Sequence, residues 1–305
     1  MQKKPALISN LGLLVCLIGV FVLPSYGLEQ PRMLQNDDLT VTYETSLEGA
    51  ASQLLELYPD LKQELIRTFS WNLDVRPQVI LVKNASAFRN LFRNNLFVAI
   101  AIPDKNLIVI DYSKMNQYPF TLRITFKHEL CHLLLHHHIK RRHLARWLEE
   151  GICQWASDGM GEIFIGKHSS KLDAAMMTDR VLSLRQLANS FPRDRESLML
   201  AYEQSKSVIN FLDRKYGTDS ILELLDRLKN DEHLDTAVLR TFGLNSAELE
   251  KDWLEHLQRT PRWLVYLSNN LYGILFFLAA LLTIFGFIRR ILRRKAWKIE
   301  EENNE

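Results

Sequence analysis

The sequence predicts an α+β fold: a small mixed sheet packed on a histidine-bearing helix, then a mainly helical C-terminal subdomain and one C-terminal transmembrane helix. Three observations carry this expectation. Short β-branched or apolar runs cluster before position 111, at Val79–Val82, Phe97–Ile102 and Leu107–Ile110. After them, apolar residues recur at helical spacing almost to position 257. Last, Leu271 to Ile288 is apolar apart from Tyr272 and Thr283, long enough to cross a bilayer. The 305 residues allow one or two domains, and 47% hydrophobic content supplies a real core.

Taken in order, Lys3 and Lys4 precede an apolar run from Leu11 to Leu23, with small residues at Ser25 and Gly27. This reads as a secretory signal over 1–27, cleaved after Gly27, because the run is short for a membrane span. Cys16 lies inside that run behind the bulky Val15, which disfavours lipid attachment. A polar lead-in at Asp37–Glu44 gives way to a helix over 47–69, with Leu54, Leu55, Leu57, Leu61, Leu65 and Ile66 at helical spacing. The turn Pro103-Asp104-Lys105-Asn106 joins the second and third apolar runs as a hairpin. Asn84-Ala85-Ser86 matches a glycosylation sequon, a triplet common by chance. Further helices are expected over 119–138, 144–157, 198–216, 220–229 and 236–257, with Gly243 to Ala247 ending one helix and capping the next.

Between positions 28 and 288 there are thirty basic and thirty-two acidic residues, so the central body is slightly acidic and no nucleic-acid partner is expected. Arg289, Arg290, Arg293, Arg294 and Lys295 follow the C-terminal apolar segment, and the positive-inside rule puts that end in the cytoplasm. Trp263, Tyr266 and Tyr272 suit the opposite interface. The expected organisation is a signal at 1–27, an extracytoplasmic domain at 28–262, a transmembrane helix at 263–288 and a basic cytoplasmic tail at 289–305. A bacterial inner membrane with a periplasmic body suits a compact chain with two mature cysteines.

The chemistry concentrates at His128-Glu129-Leu130-Cys131-His132 and Trp147-Leu148-Glu149-Glu150-Gly151. Residues four apart on a helix stand one turn above each other, so His128 and His132 can offer two imidazole nitrogens to one ion. Glu129 beside them can take a proton from a polarised water. A catalytic zinc normally has three protein ligands and an open position, so one ligand is outstanding. The second motif offers Glu149 and Glu150, the latter separated from His132 by seventeen intervening residues. His138 is a rival, but a third histidine at that spacing requires a helix-breaking glycine at 135, where Leu135 stands. Cys131 and Cys153 each lie close to a proposed ligand, and they could bridge the two helices or remain buried thiols.

HELCH followed by WLEEG resembles the gluzincin metallopeptidases of the peptidase MA type, a zincin fold. The resemblance covers approximately Val79 to Leu257, strongly at the two motifs and loosely elsewhere. It implies Zn2+ held by His128, His132 and Glu150, which selects Glu150 over Glu149, with Glu129 as catalytic base. It also implies that Tyr202, in the stretch Ala201 to Ser205, donates to the oxyanion of the tetrahedral intermediate. In such peptidases the edge strand of the sheet holds an extended substrate by backbone pairing, and Phe97–Ile102 is the matching strand. Aminopeptidases of the related type carry a G-x-M-E-N segment that binds the substrate's free amine. No such segment occurs here, which leaves an endopeptidase as the expectation. The function expected is thus a membrane-anchored zinc metallopeptidase acting on a peptide or protein substrate outside the cytoplasm. A non-catalytic binding protein of the same fold, and a zinc hydrolase acting on a non-peptide bond, are the alternatives.

Overall fold

A computed structural model of the protein describes residues 31–92, 96–115, 120–158, 171–259 and 271–290. The expected signal at 1–27, Trp263, Tyr266 and the tail beyond Arg290 lie outside the described residues. The chain divides into two compact units, Met1–Lys251 and Asp252–Glu305.

In the first unit, strands β1 (Arg32–Gln35) and β2 (Thr40–Tyr43) precede helix α1 (Glu48–Phe69). Strand β3 (Gln78–Val82), helix α2 (Ala85–Phe92) and strands β4 (Ala99–Ile102) and β5 (Leu107–Asp111) follow. The five strands form one mixed sheet in the order β1-β2-β3-β5-β4. β2, β3 and β5 run parallel, while β1 and β4 pair antiparallel at the two edges. The expected hairpin is the β4–β5 pair, with Ile102 opposite Leu107. Its turn closes with Asn106 at φ 49°, a left-handed conformation that asparagine tolerates better than most residues.

β2 stands where the sequence shows a polar lead-in, and β1 lies just before it. Thr40-Val41-Thr42-Tyr43 does alternate, burying Val41 and Tyr43, but over only four residues. The asparagine of the apparent sequon has a local role: Asn84 Oδ1 accepts from Ala87 N–H at 2.9 Å and from Ser86 Oγ at 2.6 Å, capping α2.

Helix α3 (Leu122–His138) carries the first motif. Thr121 caps it by accepting from Ile124 N–H at 3.2 Å. α3 is apolar around most of its girth, and every residue from His128 to Leu135 is buried. Its contacts explain this: α1 and β4 pack against it, as does helix α4 (Arg146–Ala156). At the α1 contact, Glu64 pairs with Arg123 and with Lys127, the latter at 2.9 Å. The helical remainder comprises α5 (Lys171–Met177), α6 (Leu184–Leu187), α7 (Arg195–Tyr216), α8 (Thr218–Lys229), α9 (Leu234–Phe242) and α10 (Ser246–Arg259), which runs across the division between units. Gly243, at φ 72°, ends α9 in the left-handed region. Asn245 Oδ1 then accepts from the N–H groups of Ala247 and Glu248, both at 3.0 Å.

α4 and α7 approach closely at Gly151. A Cβ added at Gly151 would stand 2.5 Å from Ser205 O and 2.6 Å from Ile209 Cγ1. The glycine of the second motif therefore lets α4 lie directly on the backbone of α7. One turn on, Gln154 Nε2 donates to Tyr202 O at 3.1 Å.

In the second unit, helix α11 (Leu271–Arg290) is long and apolar enough to cross a membrane, and its large side chains are exposed. Twenty helical residues span about 30 Å, the thickness of a bilayer's hydrocarbon core.

Candidate metal centre

α3 and α4 bring His128, His132 and Glu150 together, all buried. The Nε2 atoms of His128 and His132 lie 3.2 Å apart, and Glu150 Oε2 is 3.6 Å from each. Three ligand atoms around a tetrahedral ion with bonds of 2.0–2.1 Å are separated by roughly 3.3 Å, so the triangle has the size such an ion requires. Glu150 Oε2 is buried and accepts no hydrogen bond among the described residues. A buried carboxylate oxygen without a donor is costly, and a cation between it and the two imidazoles would offset that cost. The donor set therefore fits a divalent ion such as zinc.

The other carboxylate oxygen is anchored. Glu150 Oε1 faces Arg146 Nη2 at 2.5 Å and accepts from the Tyr202 hydroxyl at 3.2 Å. Burial works to raise the pKa of Glu150, but Arg146 and the two histidines outweigh it and hold the group ionised below the usual carboxylate range.

Glu149 turns the other way, toward α3. His132 Nδ1–H donates to Glu149 Oε1 at 2.7 Å, which leaves Nε2 of the same ring facing His128 and Glu150. Glu149 Oε1 also accepts from His136 Nε2 at 2.9 Å, and Oε2 accepts from Arg146 Nη1 at 3.4 Å. Burial again pushes upward, and the donors from His132 and His136, with Arg146, bring Glu149 well below its ordinary value. A carboxylate behind a metal-binding histidine fixes its tautomer and ring orientation.

Glu129 is fully buried on α3 directly after His128. His138 stands at the far end of the helix, where Nε2 donates to Asn72 O at 2.7 Å and the ring lies 4.9 Å from that of Trp71. α3 continues unbroken through Leu135, which carries His138 there. Cys131 and Cys153 are free, buried thiols. Burial, then a hydrogen bond with Cys131, pushes the Cys153 thiol well above its ordinary pKa.

A cleft of about 1370 Å³ borders the site on the side of His132, Arg146 and Glu149, and His128, Glu129, Glu150 and Tyr202 are not among the residues that line it. Ile100, Ala101 and Ile102 of β4 form part of one wall, with His132, His136 and Glu149 beside them. Leu184 and Arg185 of α6 and Val238 of α9 contribute elsewhere. β4 pairs with β5 and is the sheet's last strand, so among the described residues no strand pairs with its other edge. Sequence reasoning did not identify Arg146 or His136 as parts of this arrangement, and it weighed Glu149 only as a rival ligand to Glu150. The signal for Arg146 was available, since it precedes Glu149 by three and Glu150 by four, the spacings at which helical side chains meet.

A sequence model of the family described as the peptidase MA superfamily matches residues 78–259. No curated protein sequence matches the chain. Among solved structures, a mutant of an M1 zinc metallopeptidase from Deinococcus radiodurans is similar at 15% identity and a TM-score of 0.44. That alignment covers 73% of this chain and 51% of the other, so the chain spans about half that protein's length.

Proposed function

The chain belongs to the peptidase MA superfamily, and from that premise we propose that it is a membrane-anchored zinc metallopeptidase, an endopeptidase acting outside the cytoplasm. The observation that carries the reading is the buried triangle of His128 Nε2, His132 Nε2 and Glu150 Oε2, with edges of 3.2, 3.6 and 3.6 Å. These three residues would hold the ion, which when bound supplies Lewis-acid activation of water and of the scissile carbonyl.

The remaining work falls to the chain's own groups. Glu129 takes the proton of the attacking water and passes it to the leaving amine. Glu149 keeps His132 in the tautomer that presents Nε2, and Arg146 holds both Glu149 and Glu150 ionised. Tyr202 donates to the oxyanion of the tetrahedral intermediate, exchanging its contact with Glu150 for one to substrate. The outer edge of β4 receives the peptide backbone as an added strand. α11 anchors the chain in the membrane, with the basic residues after position 288 on the cytoplasmic side.

The test uses the full chain in detergent micelles, with Glu129→Gln, Glu150→Ala and His138→Ala beside the wild type. Zinc content is measured, and cleavage is followed on a mixed peptide library and on ester and amide substrates. The expected result is about one zinc per chain in the wild type and in the Glu129 and His138 variants, and none with Glu150→Ala. Peptide cleavage in Glu129→Gln should fall by roughly 10²–10⁴. Zinc absent from the wild type, zinc lost with His138, or full activity in Glu129→Gln would each sink the reading. Hydrolysis of esters alone would move the enzyme to a non-peptide substrate.

A further inference from the structure

A third imidazole stands on the same face of α3, one turn beyond His132. His136 is half-buried, lines the cleft, and donates from Nε2 to Glu149 Oε1 at 2.9 Å. The same oxygen accepts from His132 Nδ1 at 2.7 Å. Resting on the reading of the site as a metal centre, we infer that His136 is a positioning residue: acting through Glu149, it sets the orientation and donor strength of His132.

The argument begins with Glu149. Only 5% of its surface is exposed, so its charge depends on the donors around it. Arg146 faces Oε2 from the side of α4, at 3.4 Å. Without His136, the carboxylate would be free to rotate toward that guanidinium, which offers a fork of donors, and to lengthen its contact with His132. His136 pulls on Oε1 from α3 and opposes that rotation. It also shares the charge of Oε1. By holding the carboxylate against His132 Nδ1, it keeps that contact short and preserves the electron density that His132 Nε2 offers an ion. With its Nε2 committed to Glu149, His136 is a partner of the carboxylate and not a fourth ligand.

The experiment compares the full chain in micelles with its His136→Ala and His136→Gln variants. Zinc affinity is measured by competition with a chromophoric chelator, and the visible spectrum of the cobalt(II)-substituted protein reports the ligand field directly. His136→Ala should weaken zinc binding about tenfold, the lower end for groups that support a metal ligand from outside, and should shift the cobalt bands. His136→Gln can still donate an N–H to Glu149 and should restore both. Wild-type affinity and spectrum in His136→Ala would overturn the inference, as would failure of the glutamine to restore them. A wild-type chain that binds neither metal would instead overturn the metal-centre reading, and the role of His136 with it.

Discussion

The hydroxyl of Tyr202 donates to Glu150 Oε1 at 3.2 Å, which puts it one carboxylate away from the proposed ion with two tasks open to it. It can hold Glu150, or it can move to an oxygen that gains charge during the reaction. Tyr202→Phe separates them. As an oxyanion donor, its loss should lower kcat by roughly 10²–10³ with zinc content and KM little changed. Loss of zinc, with normal turnover in the loaded fraction, would assign the hydroxyl to Glu150 alone. At this scale the sequence was legible where function follows one helix: the four-residue step from His128 to His132 needs only helical geometry. The partners of Glu149 were not legible, since Glu149–His132 and Glu149–His136 join two helices. Their meeting depends on how α4 is rotated about its axis against α3, which spacing along the chain does not determine.

At the scale of elements, the contact that sets this rotation lies on the opposite face of α4, where Gly151 meets Ser205 and Ile209 of α7. Two of the three nearest atoms to an added Cβ belong to the Ser205 backbone, which cannot swing aside as a side chain can. Gly151→Ala should therefore destabilise the protein by about 1–3 kcal/mol despite alanine's better helix propensity. Thermal unfolding of the full chain in detergent would register this as a lower melting temperature, and an unchanged one would show that the helices can separate without cost. Most elements were readable from periodicity and caps. α1, β3, the β4–β5 hairpin, α3, α4 and α7 to α10 stand close to their expected positions. The strands β1 and β2 escaped because four residues carry too little alternation to distinguish strand from polar loop. α2 escaped because its capping asparagine also fits a sequon. α6, four residues long, leaves almost no periodic signal.

For the molecule as a whole, the proposed membrane anchoring rests on α11, a helix long and apolar enough to cross a bilayer. Its twenty residues expose Phe276, Leu282, Phe285 and Phe287 at more than 60% each, an apolar surface of the kind that marks a membrane or protein contact. The full chain should stay with the membrane fraction through an alkaline carbonate wash, and a chain lacking 271–290 should be released. Retention of the shortened chain would place the anchor elsewhere. In the sequence as in the structure, length and composition mark this segment as a candidate span.

On the proposed reading, in which β4 receives substrate along its outer edge, the strand has a consequence for what the enzyme could select. A strand recognises its partner through backbone N–H and C=O groups, which every residue but proline offers alike. A substrate that docks there must arrive extended, with those groups not already committed to its own helices or sheets. The choice among proteins would then fall first on those with a loose loop, a frayed end or a failed fold, and only second on the side chains around the bond. An enzyme built this way at a membrane surface would read conformational disorder before it reads sequence.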